Sequence, residues 1–207
     1  MSREPKTCLI IGASGNVYAG GPYDYIICAD GGLASAARLG LKPDLLIGDM
    51  DSLEGPRAAV KTITLPAEKD FSDLEAGVKH GLSMGCADLS LTGCTGGRQD
   101  HFLAALFLLK HISGAGARGR IIDDDNEIMF YDRPLTLAAP LGFKYFSVIP
   151  ISAALSGVTI TGAKYPLNKA RVARSASLAL SNEPVPGAAA SIEIGRGEAV
   201  IVLSGRM

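Results

Sequence analysis

The chain has 207 residues, of which 47% are hydrophobic, so it is long enough to bury one large core or two smaller ones. Its 20 basic and 21 acidic residues give a formal net charge of −1, which argues against nucleic acid as the main partner because no basic excess exists to neutralise phosphates. The apolar run 102–109 is too short to span a bilayer, and no apolar signal segment follows the N-terminus, so we expect a cytoplasmic location. The four cysteines form no CxxC pair, which favours buried, reduced thiols over zinc ligands or disulfides.

Short apolar runs alternate with helical patterns in the first part of the chain. The nearly continuous apolar runs, typical of parallel strands buried on both faces, are 7–13, 25–29, 45–48, 62–65, 89–92 and 119–122. The helical patterns are 33–39, 73–84 and 99–112. This alternation predicts an α/β unit with a doubly wound, mostly parallel sheet, whose ligands bind beyond the carboxyl ends of the strands.

An aspartate with two glycines follows the second predicted strand. Gly31 and Gly32 allow a ligand to approach the backbone closely, and Asp30 is suited to contact a ribose, a substrate amine or a metal network.

Two aspartates, Asp49 and Asp51, follow the third predicted strand. On extended backbone their side chains share one face, roughly 7 Å apart, and a turn would bring them closer. Carboxylates gathered at a strand end favour a hard cation, and Mg²⁺ carrying a polyphosphate is the usual one. The alternative is a polar strand exit in which Ser52 caps a following turn.

Two more aspartates, Asp70 and Asp73, precede the second predicted helix. Ser72 and Glu75 have the spacing of a capping box, which explains both residues without a catalytic role. Asp73 in the first turn also suits the helix dipole. Capping does not require Asp70, so a function is favoured for that residue.

A glycine turn with an arginine opens the third predicted helix. Gly96 and Gly97 let backbone N–H groups approach an anion at the helix N-terminus, and Arg98 can bind phosphate oxygens with two hydrogen bonds. The alternative is a tight strand-to-helix turn with a solvated arginine. Asp100 and His101 lie in the first helical turn, where His101 is suited either to phosphate or to local packing. No Walker A pattern occurs in the sequence, which argues against a P-loop enzyme.

The pattern changes near residues 127–134. Short alternating runs follow at 135–138, 145–149, 157–161, 177–180, 191–194 and 199–203. Evenly spaced short strands separated by glycine and proline predict an antiparallel sandwich or a partial barrel.

Together these motifs resemble the thiamine pyrophosphokinase family in order and spacing across nearly the whole chain. The segments that carry the resemblance are Ala29-Asp30-Gly31-Gly32, Pro43-Asp44, Gly48-Asp49-Met50-Asp51-Ser52, Lys69-Asp70-Phe71-Ser72-Asp73, Gly93-Cys94-Thr95-Gly96-Gly97-Arg98-Gln99-Asp100-His101, Tyr165-Pro166-Leu167 and Ser181-Asn182-Glu183. The chain departs from the family where Ser72 replaces a usual threonine and Cys94 a common alanine. Residues 175–180 lack the glycines often found before Ser181. The chain has no tryptophan, so an aromatic ring stacking on thiamine must be Phe or Tyr.

The resemblance implies an α/β catalytic domain over 1–130 that binds ATP and Mg²⁺. It also implies a C-terminal antiparallel β-sandwich over 131–207 for thiamine binding and dimerisation. The implied assembly is a homodimer with active sites between domains of different subunits. The implied reaction moves the diphosphate of ATP to the hydroxyethyl group of thiamine and releases AMP. The alternatives are a Mg²⁺-dependent pyrophosphokinase with another small alcohol as acceptor, and a non-catalytic nucleotide or thiamine diphosphate sensor.

The expected site residues fall into four groups. The catalytic set is Asp49, Asp51, Asp70, Asp73, Arg98 and Asp100, and its metal ligands are Asp49, Asp51 and Asp73. The ATP-binding set is Asp30, Gly31, Gly32, Gly96, Gly97, Arg98 and His101. By resemblance, Ser181 and Asn182 contact thiamine.

Overall fold

The computed structural model describes residues 6–51, 60–139 and 141–207. The chain divides into two compact units, of which the first ends at Asp124 and the second begins at Asp125. The first unit is an α/β structure and the second is all-β, as the sequence predicts.

A six-stranded parallel sheet forms the centre of the first unit. Its strands are β1 (Lys6–Ile11), β2 (Tyr25–Ala29), β3 (Leu45–Gly48), β4 (Lys61–Thr64), β5 (Cys86–Thr92) and β6 (Arg118–Ile122). They lie in the order β4-β3-β2-β1-β5-β6, and each neighbouring pair is parallel. Strands β2, β3 and β4 lie on one side of β1, and strands β5 and β6 lie on the other side. The strand order therefore reverses between β1 and β5, which is where open α/β sheets bind ligands.

In the described part of the first unit, three helices accompany this sheet. They are α1 (Gly32–Arg38), α2 (Asp73–Ser83) and α3 (Gln99–Gly114). The Ser72 hydroxyl accepts a hydrogen bond from the Glu75 N–H at 3.2 Å, so the predicted N-cap of α2 is confirmed. Gly77 lets α2 approach the sheet, because a Cβ there would lie 2.9 Å from Ile10 Cγ2. The N-terminus of α2 is thereby fixed next to the carboxyl ends of the strands.

The second unit is an antiparallel β-sandwich. Its strands are β7 (Asn126–Tyr131), β8 (Leu135–Leu137), β9 (Phe143–Pro150), β10 (Ala154–Thr161), β11 (Leu167–Ala173), β12 (Ala190–Glu193) and β13 (Ala199–Arg206). One sheet has the order β7-β13-β9 and the other β11-β10-β12-β8. Phe146 and Ile201 from the first sheet share one buried cluster with Leu155, Ile160 and Ile192 from the second. Of the two architectures that the sequence left open, the sandwich is the observed one.

Sequence and structure differ at three segments of the sandwich. The predicted strand 177–180 is a turn in which Leu180 N–H bonds the Ser177 carbonyl, and its alternating pattern reflects a buried Ala179 between exposed leucines. The sequence pattern predicts neither β7 nor β11. Strand β11 lies at a sheet edge, has polar residues at three of its seven positions without regular alternation, and has Lys169 in left-handed backbone at φ +46°.

Two further expectations can be compared with the described residues. Cys8, Cys28, Cys86 and Cys94 are buried free thiols, as predicted. Within the described ranges, no helix has the length and hydropathy needed to cross a membrane.

Candidate active site

The carboxyl ends of β2 and β3 bring the first predicted acidic residues together. Ile27 and Ala29 of β2 are in register with Leu45 and Ile47 of β3, so the residues that follow the two strands are neighbours. The Asp30 N–H donates to the Ile47 carbonyl at 2.9 Å. Gly48 permits this approach, because a Cβ there would lie 3.0 Å from the Asp30 Cβ.

Asp30, Asp49 and Asp51 form a group of three carboxylates. One oxygen from each lies within 4.8 Å of the others, the spacing expected around a single metal ion. Met50 has left-handed backbone at φ +67°, and the Asp51 N–H donates to Asp49 Oδ1 at 3.3 Å. The chain therefore turns between the two aspartates. This turn is the closer of the two geometries that the sequence allowed.

Two features of this group bear on its capacity to bind a cation. The pKa of Asp49 is lowered, first by the hydrogen bond from the Asp51 N–H and further by the nearby Lys69 ammonium. Asp30 Oδ1 is buried and has no hydrogen-bond partner within the described part of the chain. A buried carboxylate oxygen without a partner is costly, and a bound cation would remove that cost.

Lys69 is a site residue that the sequence analysis did not select. Its ammonium lies 3.6 Å from Asp49 Oδ2 and 3.2 Å from Asp73 Oδ1, with the side chain only 9% exposed. Partial burial alone would lower the pKa of Lys69, but the two carboxylates outweigh it and raise that pKa. Its contact with Asp49 joins residues 20 positions apart in the sequence, so no local pattern identifies it.

Asp73 lies beside the three-carboxylate group and forms an ion pair with Lys69, and its buried Oδ1, like that of Asp30, has no hydrogen-bond partner in the described part of the chain. Its pKa is raised, mainly by burial and also by the charges of Asp49 and Asp30, although Lys69 acts in the opposite direction. Asp70 is exposed, and in the described chain it does not belong to the group of three. Ser52, the possible cap after Asp51, lies outside the described residues.

The two glycines after Asp30 have a packing role in the structure. A Cβ on Gly32 would lie 1.9 Å from the Ile11 carbonyl oxygen, and one on Gly31 would lie 3.0 Å from the Ala13 Cβ. Helix α1 thus begins directly against the end of β1, and this contact accounts for Gly32 by itself.

The crevice between β1 and β5 lies at the reversal of strand order. A Cβ on Gly12 would lie 2.5 Å from the Gly93 carbonyl oxygen, so the two loops meet through glycine. Gly96 and Gly97 have left-handed backbone at φ +72° and +60°, and both are exposed. Thr95 Oγ1 beside them is buried and lacks a partner among the described residues. The turn before α3 therefore presents polar groups at a helix N-terminus, where anions bind.

Arg98 and Asp100 form an exposed ion pair at the start of α3. Arg98 Nε and Nη2 donate to the Asp100 carboxylate at 3.2 and 2.6 Å, and the pKa of Asp100 is lowered by this contact. The two side chains are 72% and 63% exposed, so the pair contributes little to stability and can exchange for another anion. His101 is exposed in the same turn.

In the second unit, Ser181 and Asn182 have different environments. Asn182 is 2% exposed, and its amide bonds both backbone groups of Tyr165, donating at 2.8 Å and accepting at 3.0 Å, while Glu183 N–H donates to the same Oδ1 at 2.9 Å. Ser181 is exposed, with φ +53°, and its N–H donates to Ser147 Oγ at 2.9 Å. Asn182 therefore fixes the loop that presents Ser181. The amide of Asn182 is largely used within the protein.

Comparison with known proteins gives a consistent result. Residues 22–118 match the family model described as thiamin pyrophosphokinase, catalytic domain, and residues 135–197 match the model described as thiamin pyrophosphokinase, vitamin B1 binding domain. A thiamine pyrophosphokinase of Bacillus subtilis (strain 168) is 31% identical over 188 residues, which cover 81% of this chain and 88% of that protein.

Solved structures show the same fold. A crystal structure of thiamine pyrophosphokinase from Bacillus subtilis superposes with a TM-score of 0.87 at 24% identity, covering 98% of this chain and 100% of that one. Yeast thiamin pyrophosphokinase gives a TM-score of 0.74 at 14% identity, with coverage of 98% and 87%. At these identities the structural likeness supports the fold, and the sequence matches carry the relationship.

Proposed function

The chain belongs to the thiamine pyrophosphokinase family, and we propose that it transfers the diphosphoryl group of ATP to thiamine, giving thiamine diphosphate and AMP. The observation that carries the chemistry is the group of Asp30, Asp49 and Asp51 at the carboxyl edge of the sheet. In this reaction the hydroxyethyl oxygen of thiamine forms a bond to the β-phosphorus. The bond between that phosphorus and the oxygen of the α-phosphate breaks, AMP leaves, and the hydroxyl proton passes to a carboxylate of the site.

The three-carboxylate group fits Mg²⁺. Its ligand atoms are carboxylate oxygens, which hard cations prefer, and Asp30 Oδ1 is buried without a partner in the described structure. Bound there, Mg²⁺ would neutralise the polyphosphate charge and orient it. Asp73, the other ligand expected from the sequence, forms an ion pair with Lys69 beside this group.

The turn before α3 is the proposed phosphate-binding element. Gly96 and Gly97 expose backbone at the N-terminus of a 16-residue helix, and Arg98 needs only to release the exposed Asp100 to bind phosphate oxygens. Donors at this position stabilise the negative charge that redistributes as the phosphoryl bond breaks. Asp30, Gly31, Gly32 and His101 remain proposed contacts of the nucleotide.

Ser181 is the proposed thiamine contact in the second unit, and Asn182 is the residue that holds its loop. The exposed Ser181 hydroxyl is free to meet a ligand in the way that the buried Asn182 amide is not. The thiazolium ring of thiamine is a cation, so the carboxylates of the first unit also suit this acceptor electrostatically.

We also propose that the protein is a cytoplasmic homodimer. Exposed apolar side chains occur in both units, including Leu103 and Phe107 one turn apart on α3 and Leu178 and Leu180 in the second unit. Large exposed apolar side chains of this kind favour burial in an interface. Light scattering coupled to size-exclusion chromatography should give twice the chain mass of 21.5 kDa, and a monomer would contradict the dimer.

Chromatographic analysis of the products tests the proposed reaction. Incubation of the protein with Mg²⁺, ATP and thiamine should give thiamine diphosphate and AMP in equal amounts. ADP with thiamine monophosphate would instead identify a simple kinase. A folded protein that gives no thiamine product would require another acceptor or a sensor role.

A further inference from the structure

The loop that follows β1 is bonded to the segment that leads into the turn before α3. In this β1 loop, which we define as residues 12–18, the Ser14 N–H donates to the Gly93 carbonyl oxygen at 2.8 Å, and the Ser14 hydroxyl donates to the Thr95 carbonyl oxygen. In return, the Gly93 N–H donates to the Asn16 carbonyl oxygen at 3.1 Å. These hydrogen bonds fix the backbone of Asn16 beside the turn.

The side chain of Asn16 lies next to Gly96, in the turn that is the proposed phosphate-binding element. A Cβ on Gly96 would lie 3.0 Å from Asn16 Nδ2, so the amide occupies the space directly beside that glycine. Asn16 is exposed, and its side-chain amide makes no hydrogen bond within the described part of the chain. The two N–H donors of this amide are therefore available to a ligand at the turn.

A second polar side chain at this place also lacks a partner. Thr95 is only 7% exposed, and its Oγ1 is buried without a hydrogen-bond partner among the described residues. Asn16 and Thr95 face each other across the two loops through an isolated antiparallel bridge. Unpartnered donors gathered at the N-terminus of the 16-residue helix α3 suit an anion, which would complete their hydrogen bonds.

We propose that Asn16 is a binding residue that donates a hydrogen bond from Nδ2 to a phosphate oxygen of the nucleotide. The β1 loop then belongs to the phosphate site together with the turn that contains Gly96, Gly97 and Arg98. This inference rests on the proposed function, because it takes ATP as the ligand of the turn. Since the backbone of Asn16 is already bonded to the segment before the turn, binding requires little ordering of the loop.

Equilibrium binding of a non-hydrolysable ATP analogue with Mg²⁺, measured by isothermal titration calorimetry, tests the proposal. Asn16→Asp keeps the shape of the side chain but places a negative charge beside the phosphates, and we expect the affinity to fall by at least about tenfold. Asn16→Ala removes only the hydrogen bond and should lower the affinity by about threefold. Because Asn16 is exposed, both variants should fold, which circular dichroism checks.

Lys42→Gln is the matched control for net charge. It makes the protein more negative by one charge, as Asn16→Asp does, but Lys42 is an exposed residue that precedes β3 and so lies at the opposite end of that strand from Asp49. We expect this variant to bind the analogue with the affinity of the wild type.

Inorganic triphosphate, added as a competitor of the analogue, distinguishes a phosphate contact from a nucleoside contact. It has a phosphate chain but no base or ribose, so Asn16→Asp should weaken its binding by a similar factor. A loss of affinity for the analogue without a loss for triphosphate would place Asn16 against the nucleoside and overturn the proposal.

Wild-type affinity for the analogue in either folded Asn16 variant would also overturn the proposal. Equal losses in Asn16→Asp and Asn16→Ala would do the same, because a charge beside the phosphates must cost more than a missing hydrogen bond. These measurements involve neither thiamine nor turnover, so the products formed by the wild-type protein decide the proposed reaction separately.

Discussion

The two regions expected to contact substrates differ in how their polar groups are satisfied. At the carboxyl edge of the first unit, Asp30 Oδ1 is buried without a partner in the described structure, and burial, with a smaller contribution from Asp49 and Asp30, raises the pKa of Asp73. In the second unit, the buried Asn182 amide makes three hydrogen bonds, two with the backbone of Tyr165 and one with the Glu183 N–H. Unsatisfied polar atoms indicate a place where a ligand completes the structure, whereas satisfied ones indicate a scaffold. Both residues were selected from sequence motifs, yet Asp30 has the environment of a ligand-binding group and Asn182 that of a scaffold residue.

The largest expected effect is the loss of turnover on changing the carboxylate group. Asp49→Asn should lower kcat by about 10²-fold or more while the fold persists, because one electrostatic stabiliser of the transferring group is lost. Steady-state kinetics and circular dichroism measure the two effects. Glu75→Gln is the matched control, a carboxylate on α2 paired with Lys79, and it should keep near-normal turnover. Near-normal turnover in Asp49→Asn as well would remove the metal assignment.

Replacing Asn182, whose side-chain amide is hydrogen-bonded within the protein, should mainly lower the stability of the fold. Asn182→Ala leaves the backbone groups of Tyr165 and the Glu183 N–H without partners, and we expect a loss of about 2–3 kcal/mol in the free energy of unfolding. Urea denaturation followed by fluorescence or circular dichroism provides the measurement. If stability were unchanged and only thiamine binding were lost, Asn182 would be a ligand contact and the contrast between the two regions would fail.

Replacement of Arg98 tests its proposed contact with the phosphates of ATP. Arg98→Ala should raise the KM for ATP by about tenfold or slow transfer by a similar factor, since a charge-assisted contact to phosphate is lost. Stability should change little because the pair with Asp100 is largely exposed. Unchanged ATP kinetics would return Arg98 to the alternative role of a solvated turn residue.

Ser181 should give a smaller and more selective effect. Ser181→Ala removes one exposed hydroxyl and should raise the KM for thiamine several-fold, the size expected for a single neutral hydrogen bond, while the KM for ATP stays the same. Equal effects on both substrates would argue against Ser181 as an acceptor contact.

The smallest effect concerns pH and lies at the end of β2 opposite to Asp30. Backbone and side-chain hydrogen bonds from Thr7 hold the pKa of Asp24 below its ordinary value of 3.8. A lowered pKa in the folded state contributes stability that is present above pH 3.8 and is lost as pH falls through the lower folded value. The small stability advantage of wild type over Asp24→Asn should therefore shrink on acidification below that pH. An advantage that is independent of pH would assign the effect to another cause.

The sequence predicted the fold where burial determines the pattern. Strands β2 and β3 are largely buried within the parallel sheet, and their apolar runs give the observed bounds. It failed at β11, an exposed edge strand with polar residues, and at residues 177–180, where exposed leucines imitate a strand. Both errors arise because local hydrophobicity does not encode exposure.

The residues of the candidate site were predictable from the sequence, but the hydrogen bonds and ion pairs between them were not. Spacing placed Asp49 and Asp51 at one strand end, and strand order placed Asp30 beside them. The contacts of Lys69 and the internal hydrogen bonds of Asn182 depend on tertiary proximity across 20 and 17 residues, and no local motif reports them. The residue types thus indicated the chemistry of the site, and the structure distinguished the ligand-binding groups from the residues that hold the backbone in place.

The most direct test of the central claim is a crystal structure of the protein soaked with Mn²⁺ and a non-hydrolysable ATP analogue, with the metal located by its anomalous scattering. The account predicts an anomalous peak in contact with Asp30, Asp49 and Asp51, with the analogue's phosphates at the turn that contains Gly96, Gly97 and Arg98. A peak away from these carboxylates, or a nucleotide bound elsewhere with the group of three empty, would contradict it.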